Sequence, residues 1–200
     1  PDVSTGAPSA RSVWVDTNGL IYTGALGEFG FWKQDLKGRL VYHSLKQKIS
    51  DEAFKNEEIW HIIKTPSGIL FQSFAFVYLY QNGAVRKLKT PGNVLFTFKT
   101  AQAYYVEVID KGLFTLEGET FRWVPSSAFL GKEAIYGVMD TFDPEAVVIA
   151  TAQGLYRFDG KKFSVFSQEA LTFIKANQLN AALRLKNGNY AFGTIRNGLI

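Results

Sequence analysis

The sequence contains no cysteine, and its two histidines, His43 and His61, lie far apart. The absence of cysteine excludes a disulfide framework and thiolate chemistry. Zinc sites in proteins draw on clustered cysteine and histidine ligands, and no HExxH spacing accompanies either histidine. We therefore expect neither a metal site nor a cofactor, and we expect His61 to be a packed, hydrogen-bonded side chain.

The sequence also lacks a long apolar run and a large excess of charge. No stretch reaches the roughly 18 apolar residues that cross a membrane, and no signal-peptide pattern opens the chain. The net charge is +4, and the densest basic group, residues 86–89, falls on a predicted outer strand. Because lysines on an edge strand discourage edge-to-edge pairing, we expect no direct contact of this segment with nucleic acid.

Aromatic residues are abundant, and at 15% of the chain they favour strands over helices. The clearest element covers residues 153–166. Apolar residues at 155, 156 and 158, an Asp-Gly pair at 159–160 and further apolar residues at 163, 165 and 166 predict a β-hairpin. The turn is favourable because glycine adopts positive φ at little cost.

Versions of this hairpin recur along the chain, with first strands that begin near residues 30, 76, 112, 154 and 198. The period is about 42 residues, and a period of roughly 40–45 residues with four strands is typical of a β-propeller. We predict an all-β partial β-propeller of about five four-stranded antiparallel blades, the last incomplete, whose ring this segment does not close. The predicted repeats cover residues 11–44, 57–89, 93–124, 134–166 and 180–200.

The segments outside the repeats read as connections. Residues 1–10 are interpreted as a linker or the tail of a preceding blade, and Ser50 and Ser167 are predicted N-caps of short helices. Because blades depend on their neighbours to bury apolar faces, a partial ring leaves such faces bare. We expect this chain to be a segment of a longer protein, whose remaining blades or a second chain, as in a homodimer, cover those faces.

Several strings lie in four of the five predicted repeats. They are residues 11–24, 27–32 (Gly-Glu-Phe-Gly-Phe-Trp), 57–62 (Glu-Glu-Ile-Trp-His-Ile), 71–74 (Phe-Gln-Ser-Phe), 154–160 (Gly-Leu-Tyr-Arg-Phe-Asp-Gly) and 192–198 (Phe-Gly-Thr-Ile-Arg-Asn-Gly). Together they resemble the extracytoplasmic sensor part of the two-component regulator propeller family, which consists of membrane-anchored bacterial regulators. The set is most similar to the subgroup with a LuxR-type helix-turn-helix output, rather than to the hybrid two-component members with a histidine kinase.

This resemblance implies a periplasmic propeller that senses a ligand for a transmembrane transcriptional regulator or two-component system. It also implies a saccharide-derived signal. The loops between second and third strands should recur at one end of the blades, where an acid, a base and an amide would suit sugar hydroxyls. The candidate ligand contacts in these loops are Glu28, Phe29, Asp110, Lys111, Gln153, Arg196 and Asn197.

Two other functions remain open. A propeller of this kind could be a scaffold that binds another protein, or, less favoured, a glycoside hydrolase or lyase. Glycosidases need two carboxylates placed as acid and as nucleophile or base. The loop carboxylates here come from non-equivalent positions, and several read as caps or turn formers, so we expect no catalytic residue and no enzyme activity.

Overall fold

The structure, a computed structural model, describes residues 9–50 and 52–200. Most of the predicted linker at residues 1–10 lies outside the described residues, as does Asp51 beside the predicted N-cap Ser50. The chain divides into two compact units, residues 1–94 and 95–200. None of the helices in the described part of the chain has the length and apolar character needed to cross a membrane.

The first unit consists of two four-stranded antiparallel sheets, blades 1 and 2, in which strand order follows the sequence. The first strands of the two blades contact each other, and the fourth strands are largely exposed. Short 3-10 turns at Lys46–Lys48 and Glu52–Asn56 connect the blades. The strands are β1 (Ser12–Val15), β2 (Ile21–Ala25), β3 (Glu28–Gln34), β4 (Leu40–Ser44), β5 (His61–Thr65), β6 (Gly68–Gln72), β7 (Val77–Gln81) and β8 (Ala84–Lys87).

Aromatic rings fill the core between blades 1 and 2. Phe29 of β3 is fully buried and lies 4.7 Å from the ring centroid of Phe71 in β6 and 5.6 Å from that of Tyr78 in β7. Phe54, from the connecting 3-10 turn, closes the cluster at 5.3 Å from Phe29. Offset and edge-to-face rings add to the burial of apolar area, so this cluster holds the two sheets face to face.

The second unit contains blades 3 and 4, each of four antiparallel strands, and two strands of blade 5. A 3-10 turn at Ala128–Lys132 connects blades 3 and 4, and helix α1 (Gln168–Asn177) connects blades 4 and 5. The strands are β9 (Val94–Lys99), β10 (Tyr104–Val108), β11 (Gly112–Glu117), β12 (Thr120–Trp123), β13 (Ile135–Asp140), β14 (Val147–Thr151), β15 (Gly154–Phe158), β16 (Phe163–Val165), β17 (Leu179–Arg184) and β18 (Tyr190–Thr194).

Strand β14 shows how a blade is buried on both sides. Val147 and Ile149 lie in one apolar cluster with residues of blade 3, whereas Val148 and Ala150 lie in another with α1 and blade 5. Successive side chains of a strand point to opposite faces, so alternate residues of one strand enter two different cores. All five residues of β14 are buried as a result.

The sheets and their connections agree with the sequence-based expectation of an all-β chain. The described residues form five antiparallel sheets of four, four, four, four and two strands, in sequence order within each sheet. The short helix predicted after Ser167 is confirmed as α1, and the Ser167 Oγ accepts a hydrogen bond from the backbone N–H of Ala170 at 3.1 Å. The fold therefore consists of regular antiparallel sheets joined by turns and short helical segments.

Candidate ligand-binding site

The connecting segments in the second unit fold over the turns that join second and third strands. Helix α1 contacts β15, and a Cβ added to Gly154 would lie 2.4 Å from the Leu171 Cδ1 atom. The 3-10 turn at Ala128–Lys132 contacts β11 in the same way, and its Gly131 carbonyl accepts a hydrogen bond from Asp110 N–H at 3.0 Å. The β10–β11 and β14–β15 turns, which we expected to bind ligand, are therefore each packed against a connecting segment.

The two predicted contacts in the first unit are engaged within blade 1 and its core. One oxygen of Glu28, Oε1, accepts hydrogen bonds from Phe29 N–H, Tyr42 OH and Ser44 OH at 2.9, 3.1 and 2.8 Å. Burial and the Glu28 carboxylate raise the pKa of Tyr42, so its hydroxyl stays a donor at neutral pH. Phe29 is 0% exposed, and its ring packs in the core rather than at the surface.

Asp110 and Lys111 form the exposed turn between β10 and β11. Asp110 has a φ of 61°, a conformation that Asp tolerates better than most residues. Gly112 follows with a φ of 92°, and a Cβ there would lie 2.2 Å from the Ser127 carbonyl oxygen, so only glycine fits. This turn is shaped by its contact with the blade 3–4 connection.

Gln153, in the β14–β15 turn, lines a groove of about 500 Å³ in the second unit. The groove is bounded by this turn, by the end of α1, by β13, by the start of β17 and by the loop after β18. Ligand pockets for small molecules commonly have volumes of about 300–1,000 Å³ and a few polar groups on an apolar lining. The lining residues are Tyr136, Ala152, Gln153, Lys175, Gln178, Leu179 and Ile195.

The C-terminal end of α1 fixes one wall of this groove. Gln178 ends the helix with φ 58° and ψ 94°, and its N–H donates to the Ile174 carbonyl at 2.9 Å. The Gln178 carbonyl accepts from Ile195 N–H at 2.9 Å, and the Asn177 carbonyl accepts from Arg196 N–H at 3.2 Å. These two bonds attach the loop after β18 to the helix.

Of the predicted contacts in the second unit, Gln153 and Arg196 are both tied to the groove region, although only Gln153 lines it. Asn197 is exposed beside them, and its N–H donates to the Thr194 hydroxyl at 3.1 Å. The side chains of Gln153, Lys175 and Gln178 form no hydrogen bond or ion pair with any residue that the structure describes. Three polar side chains are thus free to contact a ligand.

Lys175, Gln178 and Tyr136 were not predicted as contacts. The sequence contained a signal for one of them, Gln178. A helix usually ends at glycine, or at asparagine, when the next residue needs positive φ, but here Gln178 occupies that position. Locating the groove itself required the path of α1 back over blade 4, which the hairpin pattern does not specify.

The two histidines serve the packing of the first unit. The imidazole of His43 stacks on Phe31 at 4.9 Å, beside a cavity of about 680 Å³. Burial lowers the pKa of His61, and a hydrogen bond with Gln72 opposes that shift. Among the described residues, no group of three or more His, Asp or Glu side chains is placed to hold a metal ion.

Comparison with known proteins identifies the class of fold. No protein-family model and no curated protein sequence matches the chain. The extracellular domain of a hybrid two-component system from B. thetaiotaomicron has a TM-score of 0.62 at 18% identity, over 96% of this chain and 26% of that one. The Dos1 propeller has a TM-score of 0.64 at 10% identity, over 96% and 59%. An inactive virginiamycin B lyase from Staphylococcus aureus, solved with quinupristin, has a TM-score of 0.64 at 12% identity, over 96% and 65%.

At these identities the similarity shows the fold alone, and it confirms the predicted partial β-propeller. The chain spans less than two thirds of the length of the lyase and of the Dos1 propeller, and about a quarter of the sensor domain. The activities and ligands of those proteins therefore belong to them.

The expectation of no enzyme activity is corrected by the same comparison. Two lyase structures, of virginiamycin B lyase and of streptogramin B lyase, share this fold over 96% of the chain, with TM-scores of 0.64 and 0.61. That expectation considered only the paired carboxylates that a glycosidase needs, which serve a single reaction class. A propeller can support other chemistry on its loops, because one fold accommodates unrelated functions.

Proposed function

We propose that this chain is part of an extracytoplasmic sensor propeller and that the groove beside α1 binds a small, saccharide-derived ligand. The observation that carries the proposal is a set of polar side chains, Gln153, Lys175 and Gln178, that have no partner among the described residues and line one groove of ligand size. Amide groups both donate and accept hydrogen bonds, as sugar hydroxyls do. The fold shared with a two-component extracellular domain supports the same role.

In this proposal the full protein is a membrane-anchored regulator with a periplasmic propeller. The strings of residues noted above favour a LuxR-type helix-turn-helix output over a histidine kinase. Blade 1 exposes Val13 and Val15 at 60% and 55% on strand β1, which further blades or a second copy of the chain would cover. Sedimentation of the isolated chain tests this part, and a monodisperse monomer would argue against it.

Calorimetric titration with a panel of neutral and acidic oligosaccharides tests ligand binding. We expect at least one saccharide to bind, and Gln153→Ala to weaken it several-fold, because a lost hydrogen bond costs about 1 kcal/mol. Gln102→Ala, an exposed glutamine in the β9–β10 turn, is the matched control and should bind normally. An absence of heat with every saccharide would overturn the proposal. Mass spectrometry of the same mixtures reports any turnover.

A further inference from the structure

We infer that the ligand of the groove beside α1 is an anionic saccharide, whose carboxylate or sulfate is held by the Lys175 ammonium while Gln153 and Gln178 contact hydroxyls. This inference rests on the proposed function and narrows its ligand class. A uronic acid and a sulfated sugar present the same chemistry to a cation, and the experiment below separates them.

The charge on the groove is of one sign. Lys175 lines it, and among the described residues the lining includes no carboxylate. The acid of α1, Glu169, lies six residues earlier, about 9 Å along the axis at 1.5 Å per residue, in the first helical turn. A cation on the wall of a concave site, without an anion to neutralise it, favours an anionic ligand.

A lysine in the last turn of a helix can instead serve the helix, because its charge offsets the negative end of the helix dipole. Here four carbonyl groups at or next to that end already have donors. The Phe173 and Ile174 carbonyls accept from Asn177 Nδ2 and Gln178 N–H, each at 2.9 Å. Asn177 and Gln178 accept from the loop after β18, as described above. These four carbonyl groups therefore do not depend on Lys175 as a donor.

The backbone of Gln178 gives a second, independent indication. Its ψ of 94° lies outside the small left-handed region that non-glycine residues occupy, so the position is strained. Glycine would hold the same turn at lower cost. Strain of this kind persists where a side chain has a task, and clusters at ligand sites. The Gln178 side chain lines the groove, next to Lys175 in the last turn of α1.

The decisive experiment compares a neutral saccharide with acidic saccharides of the same length. Affinities are measured by calorimetry for a galacturonic acid trimer, the corresponding galactose trimer and a sulfated galactose trimer. We expect the two acidic trimers to bind at least about tenfold more tightly than the neutral one, since a hydrogen bond to a charged group is stronger than one between neutral groups. A preference between the acidic trimers identifies carboxylate or sulfate as the recognised group.

Variants of one lysine complete the test. Lys175→Met should remove the preference for acidic trimers and its dependence on salt, whereas Lys175→Arg should retain both. Lys186→Met, an exposed lysine in the β17–β18 turn, is the control and should change neither. Equal binding of neutral and acidic trimers, unaltered by Lys175→Met, overturns the inference and leaves the proposed function standing. Binding of no saccharide overturns the proposed function itself.

Discussion

The backbone N–H of Ile135, at the start of β13, donates a hydrogen bond to Glu107 Oε1 in β10 over 3.3 Å. This bond joins blade 4 to blade 3. Glu107 is 3% exposed, and its second oxygen, Oε2, has no partner within the described chain. Within the second unit, the Glu107 side chain thus links blade 3 to the first strand of blade 4.

We expect Glu107 to make the free energy of unfolding depend on pH. Burial raises the pKa of Glu107 from 4.5 to about 7, while the Ile135 N–H lowers it. The folded chain then holds a proton that the unfolded chain releases between pH 4.5 and 7, so the free energy of unfolding falls as pH rises through that window. The fall amounts to at most about 3 kcal/mol at 1.36 kcal/mol per unit. Urea denaturation at pH 5 and pH 8 measures it.

The variant Glu107→Gln should lose this component, because an amide resembles the protonated carboxyl and does not titrate. Glu145→Gln, at an exposed turn position, should keep the wild-type pH profile. If Glu107→Gln and the wild type lose the same stability between the two pH values, Glu107 does not titrate in the folded chain as described.

We expect replacement of Gln178 by glycine to have opposite effects on stability and on saccharide binding. Gln178→Gly removes the strain at φ 58°, so we expect the free energy of unfolding to rise by about 1 kcal/mol while saccharide affinity falls. Gln178→Ala removes the same side chain but keeps the strained backbone, and should weaken binding without the gain in stability. Thermal unfolding and calorimetry measure the two quantities. A stabilised Gly variant with unchanged affinity would remove Gln178 from the site.

Phe29 predicts a large loss of stability. Its ring is fully buried among Phe54, Phe71 and Tyr78, and deletion of a buried aromatic ring costs about 3–5 kcal/mol. Phe29→Ala should lower the urea midpoint by a corresponding amount, and Phe29→Leu, which keeps much of the apolar volume, should lower it less. A loss below about 1 kcal/mol for Phe29→Ala would show that the core between blades 1 and 2 is not as described.

We expect substitutions at Gly154, next to the β14–β15 turn, and at Leu171 of α1 to affect each other, because the two positions are in steric contact. The missing Cβ of Gly154 leaves room for the Leu171 side chain, so Gly154→Ala should destabilise the chain by about 1–3 kcal/mol. Adding Leu171→Ala should recover part of that loss, which a double-mutant cycle measures as non-additivity. Gly193→Ala, where a Cβ would make an ordinary contact at 3.7 Å, is the control. Strictly additive effects at Gly154 and Leu171 would contradict the contact.

The sequence by itself determined the strands, the turns and the class of fold. Hairpins such as β15–β16 depend on local features, namely alternating apolar residues and an Asp-Gly turn at 159–160, and these act over a few residues. The N-cap of α1 is equally local, because Ser167 bonds to Ala170 three residues later. Repetition of such local signals at a fixed period indicated a propeller.

Only the tertiary structure decided which side chains meet. Phe29 and Gln153 each immediately precede a predicted strand start, near residues 30 and 154, yet one is in a core and the other lines a groove. Lys175 and Gln178 reach that groove because α1 folds back over blade 4, through contacts between residues distant in sequence. Periodicity records which face of a strand is apolar. It carries no information on how a connecting helix packs, so the groove was visible only once the chain was folded.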